Sequence, residues 1–186
     1  NGSFTNMTAG APGLFEKAVR QFALGDIEGD GDLDLYVPDA GGAALDKLLV
    51  NDGTGKLVDE VSSRLPAISS TAGATRFGDL DGDGDLDLIV LDGYAANAPD
   101  SGKILLNDGN GKLTLSPGAA PAFASGGSDP DDVDLGDFDR DFDLDVFVNL
   151  HEGKSLLWSN DGTGKFNDVT GNVPAFGAAF HYDPAV

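Results

Sequence analysis

The sequence contains no cysteine, so disulfide bridges, thiolate catalysis and cysteine-ligated zinc are all excluded from its chemistry. Histidine is nearly absent too: only His151 and His181 have an ordinary pKa suited to a base at neutral pH. Beside them stand three tyrosines, Tyr36, Tyr94 and Tyr182. His181 and Tyr182 are adjacent and would face opposite sides of a strand, which keeps them from serving one site. His151, in the stretch Asn-Leu-His-Glu-Gly, reads as a loop residue. Neither G-x-S-x-G nor H-E-x-x-H occurs. These absences lead us to expect a protein that is not an enzyme; its paired carboxylates could in principle hydrolyse glycosides, which makes a polysaccharide-degrading activity the alternative.

Basic residues are scarce as well. Eleven Lys and Arg stand against 32 Asp and Glu, a formal charge of −21, which makes nucleic acid and anionic membrane surfaces poor partners. No apolar run approaches the length of a membrane span, so membrane insertion is not expected. The opening NGSFTNMTAG has neither a basic nor an apolar leader region, and any export signal is expected to be removed or to lie upstream. Asn1 and Asn6 match the glycosylation pattern. With 40% apolar residues the chain can nevertheless bury a core.

What the chain does have is acid at every second position, three times over. The runs are Asp26-Ile-Glu28-Gly-Asp30-Gly-Asp32-Leu-Asp34, Asp79-Leu-Asp81-Gly-Asp83-Gly-Asp85-Leu-Asp87 and Asp137-Phe-Asp139-Arg-Asp141-Phe-Asp143-Leu-Asp145. Five carboxylates packed this closely repel one another at neutral pH unless a cation sits among them. A hard cation such as calcium takes six to eight oxygens at about 2.3 to 2.6 Å, and acidic side chains at positions 1, 3 and 5 of a short loop can wrap it. Position 7 (Asp32, Asp85, Asp143) is expected to give its backbone carbonyl, and position 9 (Asp34, Asp87, Asp145) a further side chain. Gly31 and Gly84 at position 6 permit the sharp turn. Two calcium sites are therefore expected in the first two loops. The third loop has Phe142 in place of the glycine and Arg140 beside the site, which sets its occupancy in question.

An EF-hand would need a bidentate Glu at position 12, where this chain has Val37, Val90 and Val148. The residues after each loop, LDLYV, LDLIV and LDVFV, read as strands rather than helices.

The loops start 53 and 58 residues apart, and each is followed by a second recurring phrase: LLVNDGTGKLVDEV from Leu48, ILLNDGNGKLTLS from Ile104 and LLWSNDGTGKFNDVT from Leu156. A period above fifty with two phrases per unit indicates a propeller blade or solenoid turn. A first strand (Val19 to Leu24, Ala74 to Phe77, Val133 to Leu135) enters the loop, a second leaves it, and a third and fourth form a hairpin about Asn-Asp-Gly. Although that phrase ends in Gly-Lys, Lys56, Lys112 and Lys165 are followed by Leu57, Leu113 and Phe166 in a β pattern, which is not a phosphate loop.

These residues resemble the FG-GAP and VCBS repeats of calcium-binding β-propellers, a family that includes the integrin α-subunit head and many bacterial secreted proteins. Phe77-Gly78-Asp79 is the name-giving phrase, with Leu24-Gly25-Asp26 and Leu135-Gly136-Asp137 as variants. The resemblance implies an all-β, propeller-type fold of four-stranded antiparallel blades, with calcium in the loop between the first two strands of each. We expect one repeat domain over 1–186, with blade units at about 17–66, 70–118 and 130–174. Residues 1–12 would end a preceding blade and 175–186 begin a following one. Closed propellers take 4 to 8 blades, so either the chain is part of a longer propeller or neighbouring chains complete it through the terminal strands. Calcium chemistry of this kind fits an extracellular or cell-surface location. The expected role is structural or adhesive, with a glycan or protein ligand bound where the repeats differ most, at Pro38 to Asp46, Asp92 to Gly102 and Asn149 to Ser155. Trp158, after Leu156-Leu157, reads as packing between blades rather than stacking on a sugar.

Overall fold

The computed structural model describes residues 21–39, 45–70, 72–93, 102–121, 129–151 and 155–172. The expected partial blades at 1–12 and 175–186 lie outside the described residues, as do Tyr94, His181, Tyr182, both glycosylation matches and most of the variable connections.

The described residues form three four-stranded antiparallel sheets, each a meander in chain order. The first comprises β1 (Ala23–Gly25), β2 (Asp34–Val37), β3 (Lys47–Asn51) and β4 (Leu57–Asp59). The second comprises β5 (Ala72–Gly78), β6 (Asp87–Asp92), β7 (Gly102–Asn107) and β8 (Leu113–Leu115). The third comprises β9 (Pro130–Gly136), β10 (Asp145–Leu150), β11 (Leu156–Asn160) and β12 (Phe166–Asp168). One helical turn, α1 (Val61–Arg64), and a 3₁₀ turn, Thr170–Asn172, complete the elements. This is the all-β, blade-type repeat expected from the sequence, and the array of sheets is not closed.

The strand limits differ from expectation at the first strand of each unit. Among the described residues β1 begins only at Ala23, whereas β5 and β9 run several residues further than the apolar pattern shows. Pro130 opens β9, a strand position where its missing N–H costs no ladder bond. The acidic residues Asp131, Asp132 and Asp134 hid the rest of β9 from a hydrophobicity reading.

Each hairpin closes in the same way. The turn aspartate N–H donates to the lysine carbonyl four residues on, at 3.1 Å for Asp52 and Lys56, 3.2 Å for Asp108 and Lys112, and 3.0 Å for Asp161 and Lys165. The preceding asparagine caps the turn: Asn107 Oδ1 accepts from Gly109 N–H at 3.2 Å and Gly111 N–H at 3.0 Å.

Two apolar cores lie between successive sheets rather than within one. Tyr36, Leu48 and Val50 of the first sheet share a core with Phe77, Leu88 and Leu105 of the second. Ile89, Leu91 and Ile104 of the second share another with Val146, Val148 and Trp158 of the third. The second sheet is thus covered on both sides, and all six residues of β6 are buried. Trp158 is fully buried against Gly102, where a Cβ would lie 3.4 Å from its ring, so it packs between blades. At about 25 cal/mol per Å2 of apolar surface removed from water, these contacts stabilise the packing of one sheet on the next.

Candidate metal centre

The acidic loops run between the first two strands of each sheet, Asp26–Leu33, Asp79–Leu86 and Asp137–Leu144. Position 1 organises the turn. Asp79 Oδ1 accepts from Gly82 N–H at 2.8 Å and Oδ2 from Gly84 N–H at 3.1 Å. Asp137 does the same with Arg140 N–H at 2.6 Å and Phe142 N–H at 3.3 Å. In the first loop Asp26 takes Asp30 N–H at 3.0 Å instead, with Gly31 N–H at 2.8 Å.

Position 9 is a structural staple. Asp87 is fully buried, its Oδ2 accepting from Leu80 N–H and its Oδ1 from Asn107 N–H, both at 2.8 Å. Asp34 and Asp145 repeat the arrangement with Ile27 and Asn51, and with Phe138 and Asn160. One carboxylate thus ties its own loop to the third strand. These bonds use one lone pair on each oxygen and leave the other for a metal.

Position 5 bonds only locally, as Asp83 Oδ1 does with Asp85 N–H at 3.0 Å; Asp30 and Asp141 bond in the same way to Asp32 and Asp143. Position 7 points away from the loop centre: a Cβ at Gly109 or Gly162 would lie 2.6 Å from Asp85 Oδ2 or Asp143 Oδ2, and Gly53 stands likewise by Asp32 at 3.0 Å. These side chains occupy the space beside the Asn-Asp-Gly turn.

Two groups of carboxylates converge enough to hold one cation. Asp79, Asp81 and Asp87 each offer an oxygen within 4.8 Å of the others, and so do Asp137, Asp139 and Asp145. A cation about 2.3 to 2.6 Å from each oxygen fits that spread. The first loop does not converge in this way, because Glu28 at position 3 is held by Arg64 at 2.5 Å. The order expected from the glycines is therefore not the order shown by the carboxylates. Arg140 and Phe142, at φ +72° and +79°, adopt the left-handed conformation that Gly82 and Gly84 adopt at +79° and +95°. The third loop keeps its shape without glycine.

Burial and mutual repulsion raise several of the loop carboxyls. Burial lifts the Asp87 carboxyl to about 6, against the opposing effect of its two N–H donors, with Asp81 and Asp83 adding to the rise. Asp81 is raised by lost hydration and then by the charge of Asp83, and Asp143 by lost hydration and then by Asp141. The hairpin aspartates behave oppositely: the Thr54 hydroxyl lowers Asp52, and the Asn110 N–H lowers Asp108.

Residues considered for catalysis do not converge among the described residues. Tyr36 is fully buried and donates to Asp46 Oδ2 at 2.7 Å, and its ionisation is pushed far up by that burial and by Asp46. His151 lies exposed after β10, with Nδ1 2.9 Å from Asp131 Oδ2.

Arg64 and the turn asparagines are the functional residues that sequence reasoning missed. Nothing in Val-Ser-Ser-Arg signals a partner thirty-six residues earlier. The recurrence of Asn51, Asn107 and Asn160 was visible, but the reach of Asn107 to Ile27 O and of Asn160 to Leu80 O across sheets was not.

The described residues thus form an all-β repeat whose sheets each carry an acidic loop, two of them with carboxylates close enough together to hold a cation. Residues 40–90 match the family model described as an FG-GAP-like repeat, a span that takes in β3 and β4, β5, the second acidic loop and the start of β6. No curated protein matches the chain.

Proposed function

We propose that the chain is a calcium-binding module of β-propeller type that works outside the cell as a structural or adhesive unit and not as an enzyme. The observation that carries this reading is the convergence of Asp79, Asp81 and Asp87, repeated by Asp137, Asp139 and Asp145. All-oxygen, all-carboxylate donors select a hard divalent cation, and backbone carbonyls with water complete the six to eight ligands that calcium takes. Calcium's chemistry here is charge neutralisation and the fixing of loop shape. An extracellular setting, where calcium is abundant, is consistent with loops this exposed. Among the described residues no helix is long and apolar enough to cross a membrane.

For ligand recognition the favoured surface is that of the first strands. An open cleft of about 450 Å3 is lined by Gln21 and Phe22 just before β1, Leu24 of the first sheet, Arg76 and Phe77 of the second and Asp132 of the third. Gln21 Nε2 donates to Asp131 O at 2.6 Å and its Oε1 accepts from Thr75 N–H at 3.2 Å, so this side chain, just before β1, bridges the first strands of the second and third sheets. Half-exposed aromatic and aliphatic surface beside hydrogen-bonding groups suits a glycan or a peptide segment.

Native mass spectrometry from calcium solution tests the central reading. We expect two ions on the wild-type chain and one on Asp81→Asn, with no gain for magnesium. Absence of any bound calcium at millimolar concentration would refute it.

A further inference from the structure

The two junctions between successive sheets share one plan and differ at one side chain. At each, a hairpin of one sheet reaches the acidic loop of the sheet before it: Asn107 Nδ2 donates to Ile27 O, and Asn160 Nδ2 to Leu80 O, both at 2.8 Å. Position 3 of the loop stands beside the last glycine of that hairpin in both. A Cβ on Gly111 would lie 2.9 Å from Glu28 Cγ, and one on Gly164 would lie 3.6 Å from Asp81 Cβ.

At the first junction a guanidinium occupies this place as well. The same Cβ on Gly111 would lie 2.5 Å from Arg64 Nη1. Arg64 Nη2 is 2.5 Å from Glu28 Oε1, Nη1 donates to Asn110 O of the hairpin, and Nε donates to Glu60 Oε2. One side chain thus joins the first loop, the turn α1 and the hairpin of the second sheet. The turn is itself anchored to β3, because Glu60 N–H donates to Leu48 O at 3.0 Å. Arg64 and Glu28 are 21% and 22% exposed, so solvent screens this pair less than an open surface pair. The second junction has no such group from its own unit. After β8 the chain runs Ser116-Pro117-Gly118-Ala119, and no Lys, Arg or His occurs from Leu113 to Asp139. Asp81 is raised by lost hydration and by neighbouring carboxylates, with no basic partner among the described residues.

We propose that Arg64 is a built-in counter-cation, which does at the first junction what a bound cation does at the second: it neutralises position 3 and ties the loop to the next sheet. The comparison rests on the calcium reading for the second loop. A guanidinium stays protonated at any ordinary pH, so the first junction is closed permanently, whereas the second closes when metal binds. Glu28, one methylene longer than Asp81, is the side chain that meets this fixed charge. Calcium at the first loop has to displace Arg64 from Glu28, and in doing so it frees the hairpin carbonyl of Asn110. The chain therefore sets one junction that calcium does not control beside one that it does.

The test is hydrogen exchange of the full chain, in calcium and in chelator, on wild type, Arg64→Ala and the double variant Arg64→Ala, Glu28→Gln. Circular dichroism checks that each variant is folded. In chelator the β3 amides of Arg64→Ala should exchange about tenfold faster than those of wild type, since a charged hydrogen-bonded contact is lost. The double variant should regain most of that protection, because the acid left unpaired is gone; a purely packing role for Arg64 would give no recovery. In wild type, withdrawing calcium should speed exchange in β10, across the second junction, and leave β3 within about twofold. The proposal is overturned if β3 exchanges alike in wild type and Arg64→Ala, if the double variant is no better than the single, or if wild-type β3 answers calcium as strongly as β10. If calcium moves neither strand in wild type, the calcium reading fails, and the comparison in chelator still decides the role of Arg64.

Discussion

Asp87 is subject to two opposing demands. Burial favours its neutral form, whereas its position among Asp81 and Asp83 is useful only when it is charged. A folded pKa of about 6 against an ordinary 3.8 means that its contribution to stability is full below about 3.8 and is lost as pH rises through about 6. Metal-free protein should therefore lose this increment of stability between about pH 4 and 6, measurable by urea unfolding. Calcium reverses the preference, because a cation favours the carboxylate. Binding near pH 5.5 should release protons, and titration calorimetry in buffers of different ionisation enthalpy would show it; a buffer-independent heat would count against Asp87 as a ligand. Glu28 offers the contrasting case. Arg64 holds it, and replacing Arg64 by Ala should raise calcium affinity at the first loop about tenfold or more, read as an additional ion in native mass spectra. At this scale the sequence displayed the donors clearly, since carboxylates alternating over nine residues repel one another unless a cation joins them. It hid their commitments, because an Arg thirty-six residues away and a buried staple leave no periodic trace.

Strands, loops and hairpins were legible wherever apolar residues alternate or a turn phrase recurs, as in Leu-Asp-Leu-Ile-Val and Asn-Asp-Gly. The third loop shows how an element can hold its form against its own residue preferences. Arg140 and Phe142 sit at positive φ, which costs a residue with a Cβ about 1 kcal/mol or more, and Phe142 is 93% exposed besides. Replacing both with Gly should stabilise the chain by roughly 1 to 2 kcal/mol in chemical denaturation. A loss of stability would mean that these side chains make contacts that outweigh their strain. The turn asparagines act on a neighbouring element. Asn160 caps its own hairpin at Gly162 and donates to Leu80 O across the junction, so Asn160→Ala leaves buried polar groups unmatched. A cost of about 1 to 3 kcal/mol is expected in the same assay, and more than for Asn51→Ala, which has one carbonyl partner among the described residues.

For the molecule as a whole, the acidic loops and the inter-sheet junctions are one structure. The carbonyls of Ile27 and Leu80, which accept the asparagine locks, belong to residues inside the first two loops. The second loop is also one of the two whose carboxylates converge, so with no cation bound strong repulsion would stand where the second and third sheets are joined. Removal of metal should therefore loosen that junction and not merely the loop. Each ion bound at a hundred times its dissociation constant adds about 2.7 kcal/mol to the folded state, a large part of the stability of an ordinary domain. Hydrogen exchange with and without a chelator reads the consequence directly. The amides of β6, buried at the centre of the second sheet, should lose protection together with the loop amides when calcium is withdrawn, and regain it with calcium but not with sodium at equal ionic strength. If only the loop amides responded, the ions would be local ornaments of sheets held together by their apolar cores. If β6 responds as well, the acid recurring at every second residue is part of what joins one sheet to the next.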